Sequence, residues 1–354
     1  MSVELGVIEG YYGTPWTWAE RQDQARFLAA HGYGFFLYAP KADPFLRRRW
    51  REDHPADEAV AMKAMAACCR EVGMRFGVGL SPYEVYRDFN DEAQAALARK
   101  LKFFDAVGVE ELAILFDDMA ADQPDLAETQ IRIIDWTAER TGAAMVTVCP
   151  TIYTDDPLLE RAFGAAPADY LDKLGAALDP AIRLFWTGEE VCSREYSPGH
   201  LTRIAERMRR KPLLWDNYPV NDGPLMSPFL HLRAFTGRPA AIGPHLAGHA
   251  INPCLQPTLF RIPALTLAES YALGEAYEYG RAFEHAAALV LGPELAKTVR
   301  GHLYSFQNYG LDRLDNGGAR LRARYEGVDH PAAREILAWL GGAYRITREM
   351  IEAQ

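Results

Sequence analysis

The sequence predicts an α/β fold, a closed (β/α)8 TIM barrel followed by a small C-terminal helical appendage. Eight short apolar runs alternate with segments of helical periodicity, and this alternation is typical of a parallel sheet. A count of eight strands fits a closed barrel. The stretch "EGYYGTPW" follows the first strand and lacks GxGxxG spacing, which disfavours an open dinucleotide-binding sheet.

The individual elements are bounded by recognisable signals. The predicted strands are Val3–Ile8, Tyr33–Tyr38, Met74–Leu80, Glu111–Phe116, Ala144–Cys149, Ile182–Trp186, Pro212–Trp215 and Gly248–Ile251. The predicted helices between them are Trp18–His31, Asp57–Val72, Asp91–Val107, Asp125–Thr141 and Pro198–Arg210. Many of these helices start at Asp, Ser, Thr or Pro, as helices commonly do. Gly32, Gly73, Gly108 and Gly142 follow four of them, where we expect left-handed C-caps.

The strand signal stops after about Thr258. The remaining chain is rich in Ala, Leu and Glu with helical spacing, as in "ALTLAESYALGEAYEYGRAFEHAAALVLG". We therefore expect a catalytic barrel over residues 1–257 and a helical region over residues 258–354. Apolar positions in these helices are expected to be exposed, namely Trp339, Leu340 and Tyr344, which favours a homodimer through the helices over packing within one chain.

The composition and net charge argue against several classes of protein. The chain has 354 residues, 49% of them hydrophobic, and a net charge of −10, which argues against nucleic-acid binding. The basic stretches at 47–51 and 207–211 are expected to be solvated faces. No leader-like segment or apolar run of about 18 residues is seen, so no targeting signal and no membrane span are expected. The five cysteines show no metal-ligand spacing, which indicates free thiols in the cytoplasm and no metal or other cofactor.

Polar and aromatic residues follow each predicted strand, where the active site of a barrel lies. They are Glu9, Gly10, Tyr11, Tyr12, Gly13, Pro40, Lys41, Asp43, Ser81, Pro82, Tyr83, Asp117, Asp118, Pro150, Thr151, Tyr153, Thr187, Gly188, Glu189, Asp216, Asn217, Asn221, Asp222 and Asn252. Amides and carboxylates can hold hydroxyl groups, and aromatic rings can stack on a sugar ring. A phosphate site would need more cations, so this composition favours a sugar ligand.

The adjacent acids Asp117 and Asp118 raise a specific question. Neighbouring residues at the end of a strand point in opposite directions, and two close like charges make each other costlier to ionise. The pair alone could be a helix N-cap with a first-turn acid, or two ligands of Mg²⁺, although no further acid cluster supports a metal. Taken singly, Lys41 reads as a surface lysine and Trp215 as a packing residue.

Seven blocks of sequence, taken together, resemble a known family. They are "GVIEGYYGTPWTWAER", "FFLYAPKADPFLRRRWRE", "LAILFDDM", "CPTIY", "LFWTG", "LLWDNYPVND" and "AINP", in this order from about Val3 to Pro253. This stretch is similar to the catalytic domain of the O-GlcNAcase and bacterial hexosaminidase group, glycoside hydrolase family eighty-four. The resemblance implies a TIM barrel that removes β-linked N-acetylglucosamine, often from Ser or Thr of proteins.

The resemblance also implies roles for nine residues. Asp117 would orient the 2-acetamido group, and Asp118 would be the general acid and then the general base. Tyr153 would hold the acetamido oxygen, and Asn217 would help to place the acetamido group. Trp215 would line the pocket for the acetamido methyl. The backbone of Gly10 and the side chain of Lys41 would hold the 3-hydroxyl, while Asp222 and Asn252 would hold the 4- and 6-hydroxyl side.

These roles account for two adjacent acids. A retaining glycosidase usually places two carboxylates about 5–5.5 Å apart as nucleophile and acid, whereas substrate-assisted enzymes use the amide oxygen of the sugar as the nucleophile. Such an enzyme needs one carboxylate at the amide N–H and one carboxylic acid at the leaving oxygen. The leading interpretation is a retaining exo-β-N-acetylglucosaminidase. The alternatives are a related glycosidase of free oligosaccharides or hyaluronan-like chains, and a catalytically silent glycan- or protein-binding barrel.

Overall fold

The protein forms a closed barrel of eight parallel strands, which confirms the predicted fold class. The computed structural model describes residues 3–314 and 317–354. The strands are β1 Leu5–Glu9, β2 Tyr33–Tyr38, β3 Arg75–Leu80, β4 Glu111–Leu115, β5 Met145–Cys149, β6 Arg183–Trp186, β7 Leu213–Asp216 and β8 Gly248–Ile251. Each predicted strand is confirmed with ends shifted by two residues at most.

The strand order follows the sequence, and the first and last strands close the barrel. Val7 of β1 pairs with Phe36 of β2 on one side and with Ile251 of β8 on the other, all in parallel. Because all eight strands run in the same direction, their carboxyl ends meet at one mouth. The residues that follow the strands therefore lie around a common opening.

Helices cover the outside of the barrel and continue beyond it. They are α1 Trp18–Ala29, α2 Ala56–Glu71, α3 Asp91–Val107, α4 Leu126–Ala138, α5 Pro157–Phe163, α6 Tyr170–Ala177, α7 Pro198–Met208, α8 Pro257–Leu273, α9 Tyr279–Leu291, α10 Pro293–Tyr304, α11 Gly317–Arg322, α12 Pro331–Leu340 and α13 Arg348–Ala353. The five predicted helices are confirmed as α1, α2, α3, α4 and α7. The two short helices α5 and α6, between β5 and β6, were not predicted.

Three of the four expected glycine caps are confirmed. Gly32, Gly73 and Gly108 have φ values of 87°, 73° and 89°, in the left-handed region that suits glycine. The expectation for Gly142 is wrong, since α4 already ends at Ala138 and Gly142 is not left-handed. Its backbone N–H instead donates to Asp105 Oδ1 at 2.9 Å, and a Cβ at this position would lie 2.9 Å from the same oxygen. Close approach, rather than the sign of φ, explains this glycine.

The C-terminal helices pack on the barrel through a second apolar core. Helix α8 follows β8 and lies between the core of the barrel and this second core. Its residue Phe260 belongs to the barrel core, and Leu259 belongs to the C-terminal core. The prediction that Trp339 is exposed is wrong, because its indole is fully buried and meets Phe306 edge-on at 5.6 Å. Leu340 and Tyr344 are half-buried against the same core. The homodimer and the boundary at residue 257 stay predictions.

A buried carboxylate joins α12 to the start of α8. Glu335 is 8% exposed, and its two oxygens accept the backbone N–H groups of Thr258 and Leu259 at 2.8 and 2.9 Å. Backbone donors at the start of a helix otherwise lack partners, so Glu335 acts as a cap supplied from a distant helix. Burial nevertheless raises the pKa of Glu335 from 4.5 to about 7.

Stability should therefore depend on the ionisation of Glu335. A carboxyl with a raised pKa binds its proton more tightly in the folded state, so the free energy of unfolding should fall as pH rises from about 4.5 to about 7 and then level off. At about 1.4 kcal/mol per pKa unit, the change is on the order of 3 kcal/mol. Denaturant unfolding at pH 5 and pH 8 should show this loss in the unaltered protein and not in Glu335→Gln. The exposed Glu326→Gln is the control and should keep it.

No helix within residues 3–314 and 317–354 is long and apolar enough to cross a lipid bilayer.

Candidate active site

A single pocket at the mouth of the barrel contains all nine residues predicted for the site. Its volume is about 1020 Å³, including the part open to solvent. The predicted residues that line it are Gly10, Lys41, Asp117, Asp118, Tyr153, Trp215, Asn217, Asp222 and Asn252. They come from the loops after β1, β2, β4, β5, β7 and β8 and from β7 itself, so closure of the barrel brings together residues that are far apart in the sequence.

Asp117 is held by a buried ion pair. Its carboxyl is 5% exposed, and Oδ2 accepts a hydrogen bond from Nζ of Lys41, which is 3% exposed. Asp117 Oδ1 has no hydrogen-bond partner among the described residues. A buried carboxylate oxygen without a donor is costly, and a ligand N–H can satisfy it. Lys41 thus fixes Asp117 through Oδ2, whereas Oδ1 is available to a ligand.

The backbone at Asp118 explains how two adjacent acids can face the same pocket. Asp118 has a φ of 57°, one of only three positive φ values at non-glycine positions within residues 3–314 and 317–354. The expectation that neighbours point in opposite directions holds for an extended strand, whereas this chain turns into the left-handed region directly after Asp117. Aspartate tolerates that region better than most residues. Both carboxyl groups consequently line the pocket.

Two phenols hold the carboxyl group of Asp118. Tyr12 Oη donates to Asp118 Oδ2 at 2.9 Å, and Tyr153 Oη donates to Asp118 Oδ1 at 3.1 Å. Burial is the main cause that raises the pKa values of Tyr12 and Tyr153 well above 10, and the charge of the nearby Asp118 is the second. Both phenols therefore keep their protons at neutral pH and act as donors. They fix the direction in which Asp118 presents its oxygens.

A chain of amide contacts forms another part of the pocket wall. Asn217 Oδ1 accepts from Trp215 Nε1 at 3.1 Å and from Asn252 Nδ2 at 3.0 Å. Asn217 Nδ2 donates to the Val191 carbonyl at 2.8 Å, which ties the loop after β6 to the site. Asn252 Oδ1 in turn accepts from the Gly10 N–H at 3.3 Å. These side chains are oriented before any ligand arrives, which limits the reorganisation that binding would require.

Gly10 is required by its contact with Trp215. A Cβ at residue 10 would lie 2.2 Å from Cζ2 of the Trp215 indole, a distance that real Cβ atoms do not reach. The φ of Gly10 is not in the left-handed region, so conformational freedom is not the reason. The glycine lets the loop after β1 approach the indole closely, which brings the backbone of residue 10 to the pocket surface.

Asp222 contributes a third acid to the pocket. Its Oδ2 accepts the backbone N–H of Tyr12 at 3.0 Å, so Tyr12 contacts both Asp222 and Asp118. Burial raises the pKa of Asp222 from 3.8 to about 6. A carboxyl with this pKa changes its charge within the range in which many enzymes work.

Three buried or nearly buried acids that follow or end the strands do not line the pocket. Glu9 pairs with Arg21, with 2.7 Å between Oε2 and Nε, and Asp216 pairs with Arg238, with 2.7 Å between Oδ1 and Nη2. Asp43 accepts from Tyr38 Oη at 2.9 Å. These groups are buried or nearly so, and cations or phenols satisfy them. These acids make structural contacts. Their position after a strand does not distinguish them from the residues of the site.

One arginine of the basic stretch at 47–51 is not solvated, contrary to expectation. Arg47 is 4% exposed, and its Nη2 donates to Tyr12 Oη at 3.5 Å. Its guanidinium also lies over the ring of Tyr83, 5.3 Å from the ring centroid. The nearby Tyr12, Asp117 and Asp118 outweigh burial and raise the pKa of Arg47. The cation therefore adds positive charge beside a pocket that contains three acids.

Several pocket residues were not assigned to the site from the sequence. Tyr12 was noted after the first strand without a role, while Leu158, Val191, Cys192 and Ile351 were not singled out. Ile351 belongs to α13, one hundred residues after the last strand ends at Ile251, and nothing in the local sequence signals that it returns to the mouth. Within the described part of the chain, no group of three or more His, Cys, Asp or Glu side chains is placed to hold a metal ion.

Comparisons with known proteins identify the family. A sequence model of the beta-N-acetylglucosaminidase family matches residues 5–306. The protein O-GlcNAcases of Mus musculus and Rattus norvegicus are each 30% identical over 257 residues, which is 70% of this chain and 28% of theirs. The chain therefore spans little more than a quarter of the length of these relatives.

A solved structure supports the same assignment. An Asp-to-Asn variant of the O-GlcNAc hydrolase of Thermobaculum terrenum superposes with a TM-score of 0.83 at 28% identity, covering 95% of this chain and 80% of that one. The family model spans all eight strands and the nine pocket residues predicted from the sequence. The chain belongs to the beta-N-acetylglucosaminidase family, as its sequence predicted.

Proposed function

We propose that this protein is a retaining exo-β-N-acetylglucosaminidase of the protein O-GlcNAcase type, which uses the 2-acetamido group of its substrate as the nucleophile. The observation that carries the proposal is the division between the two adjacent acids. Asp117 is paired with a buried ammonium and keeps one oxygen free, whereas Asp118 is directed by two phenols. The two carboxyl groups are thus equipped for different tasks in one pocket.

In the first step, Asp117 Oδ1 accepts the N–H of the acetamido group. The amide oxygen attacks the anomeric carbon, the bond to the leaving oxygen breaks, and Asp118 gives its proton to that oxygen. The product is a bicyclic oxazolinium ion, whose N–H stays on the nitrogen and remains hydrogen-bonded to Asp117. Positive charge that develops on the acetamido group is stabilised by the Asp117 carboxylate, and fixed groups at such a position commonly provide a large part of catalysis.

In the second step, Asp118 has become a carboxylate and removes a proton from water. The water oxygen attacks the anomeric carbon from the face that the leaving group vacated, and the oxazoline ring opens. Two inversions give net retention of configuration. Asp117 is poorly suited as a nucleophile itself, because Lys41 already occupies one of its oxygens and the acetamido N–H occupies the other.

The aglycone is the second part of the proposal. The relatives from mouse and rat are protein O-GlcNAcases, and we propose that this chain likewise removes N-acetylglucosamine from Ser or Thr of proteins. A fluorogenic β-N-acetylglucosaminide separates the proposal from a silent binding barrel, since a folded sample without turnover would leave only binding. Comparing a glycosylated peptide with chitobiose separates it from a glycosidase of free oligosaccharides, for which chitobiose would be the better substrate.

The proposed location is the cytoplasm. All five cysteines are free, and four of them are buried, which fits a reducing compartment. Fluorescence of a tagged chain in its native cell, compared with fractionated extracts, tests this location.

The raised pKa of Asp222 leads to a prediction about pH. If its carboxylate accepts hydrogen bonds from hydroxyl groups of the sugar, the ionised form of Asp222 that does so predominates above about pH 6. Protonation of Asp222 below that pH weakens binding of the sugar. We expect kcat/KM to decline as pH falls through about 6, since this parameter reports the free enzyme. Asp222→Asn should have a lower kcat/KM without that decline. The exposed Asp155→Asn is the control, and an unchanged profile in Asp222→Asn would contradict the assignment.

A further inference from the structure

Arg47 is a buried cation that the mechanism above does not use. It lies in the loop after β2, is 4% exposed and does not line the pocket. Among the described residues its guanidinium makes one hydrogen bond, from Nη2 to Tyr12 Oη at 3.5 Å, whereas Nε and Nη1 have no partner there. A charged group that is buried with few hydrogen bonds destabilises the folded state. Such a feature is expected where a residue serves function rather than stability.

Two consecutive hydrogen bonds connect Arg47 to the proposed acid. A guanidinium can only donate, so Tyr12 Oη accepts from Arg47 Nη2. The proton of the phenol is then directed to Asp118 Oδ2, 2.9 Å from Tyr12 Oη. Consecutive hydrogen bonds polarise one another, so a cation at the start makes the phenol a stronger donor. A stronger donor favours the ionised form of the carboxyl group that accepts from it.

The other groups near Asp118 supply little free positive charge. Besides Arg47, the titratable side chains near Asp118 are Tyr12, Lys41, Asp117, Cys149, Tyr153 and Asp222. Burial raises the pKa values of the two phenols and of the thiol, so these three groups are neutral at neutral pH. Lys41 is paired with Asp117, and Asp222 adds a negative charge above about pH 6. Arg47 is therefore the remaining cation of this set that can offset the charge of an Asp118 carboxylate.

We propose that Arg47 is a positioning residue for acid and base catalysis, which acts through Tyr12 to stabilise the carboxylate form of Asp118. The inference rests on the proposed function, in which Asp118 gives a proton to the leaving oxygen and then takes one from water. A group that serves both steps needs a proton affinity suited to the working pH. Without Arg47, the surrounding negative charge would make Asp118 hold its proton more strongly. Arg47 itself neither gives nor takes a proton, so the proton balance of the reaction is unchanged.

The test measures the pH dependence of kcat/KM on phenyl β-N-acetylglucosaminide, whose leaving group needs a proton. In the unaltered enzyme, kcat/KM should decline at alkaline pH, where the acid of the free enzyme has lost its proton. In Arg47→Met, this alkaline decline should move to higher pH by about one unit, because a cation no longer favours the carboxylate. Arg47→Lys keeps the positive charge and should keep most of the profile of the unaltered enzyme. On a dinitrophenyl glycoside, whose leaving group needs no proton, Arg47→Met should have little effect on the profile.

Arg48→Met is the matched control. Arg48 is exposed, and its guanidinium lies 4.3 Å from the centroid of the Tyr83 ring, compared with 5.3 Å for Arg47. The control therefore removes one positive charge and one contact with the same ring, but leaves the hydrogen bond between Arg47 and Tyr12 in place. The alkaline decline of Arg48→Met should stay at the pH of the unaltered enzyme.

Tyr12→Phe tests the route from Arg47 to Asp118. Loss of the phenol removes a donor to Asp118 and breaks the connection to Arg47, so the alkaline decline should move to higher pH at least as far as in Arg47→Met. Adding Arg47→Met to Tyr12→Phe should give little further movement, because two residues on one route are not additive. If Arg47→Met does not fold, Tyr12→Phe alone decides, and an unmoved decline in that variant overturns the inference.

Several results would contradict the inference. They are an unmoved alkaline decline in Arg47→Met, an equal movement in Arg48→Met, an equal movement on the dinitrophenyl glycoside, and additive movements in the double variant. The proposed function would survive each of them, since the unaltered enzyme would still cleave the phenyl glycoside. Absence of turnover on both glycosides would overturn the proposed function, and the inference with it.

Discussion

The Asp118→Asn variant should lose nearly all activity on alkyl and peptide glycosides and retain much more on aryl glycosides with an acidic leaving phenol. An alkoxide is a poor leaving group and needs the proton that we propose Asp118 supplies, whereas an acidic phenol leaves without it. General acid catalysis typically contributes about 10²–10⁴-fold, so the two substrate classes should differ by a comparable factor. Initial rates on a series of aryl glycosides and on a glycosylated peptide provide the measurement.

This substitution is well suited to the site. Asparagine, like aspartate, tolerates the left-handed conformation at φ 57°, so the turn after β4 should remain. Its amide oxygen can still accept from Tyr12 or Tyr153. The variant also lacks the base for the second step, so good aryl substrates should show a burst of phenol before a slow steady state. If alkyl and aryl substrates are slowed equally, Asp118 is not the acid.

The Asp117→Asn variant should be slowed by about 10²–10³-fold on every substrate, irrespective of the leaving group. In the proposed mechanism Asp117 acts on the acetamido group, which all the substrates share, and a neutral amide cannot stabilise the charge that develops there. The variant should also bind a bicyclic thiazoline analogue of the intermediate less tightly. The unaltered enzyme should slow markedly on a trifluoroacetamido substrate, because fluorine withdraws electrons from the amide oxygen. Normal turnover of that substrate would show that the amide is not the nucleophile.

A control must separate chemistry from folding in this variant. Removing the Asp117 charge leaves the buried ammonium of Lys41 without its counter-ion, and breaking such a pair can cost about 3–5 kcal/mol of stability. The double variant Asp117→Asn, Lys41→Met removes both charges. It should unfold at a higher denaturant concentration than Asp117→Asn and remain at least as slow, since Lys41 is also assigned to the 3-hydroxyl of the sugar. Recovery of activity in the double variant would mean that the single variant was only misfolded.

The barrel could be predicted because its strands carry local signals. After Glu111, β4 reads as a short apolar run, and Gly108 before it has the left-handed conformation of a helix end. Helices α5 and α6 were missed because they have only seven and eight residues, too few for a clear periodic pattern. Gly142 was misassigned because its cause is a contact with Asp105 from a different element.

The site was predictable where a residue directly follows a strand. Lys41 and Asp117 meet because the barrel is closed, and their family motifs lie in register with the strands. The position at the end of a strand did not distinguish Asp117 from Glu9. Glu9 does not line the pocket because its carboxylate pairs with Arg21 on α1, and the sequence around Glu9 does not show this partner. Ile351 was beyond prediction because the path of the chain from α8 to α13 depends on long-range packing, such as that of Trp339.

The pairing of β1 with β8 has a consequence for the nascent chain. On the ribosome, β1 is complete once Glu9 has been made, yet its second neighbour begins only at Gly248. Until then an incomplete sheet exposes unpaired edges and apolar surface, a situation in which chains commonly need chaperones. Asp117 and Asp118 emerge when only half of the strands have been made, whereas Ile351 of the pocket emerges only after all eight. A ribosome stalled before Gly248 would therefore carry both aspartates without a closed barrel around them.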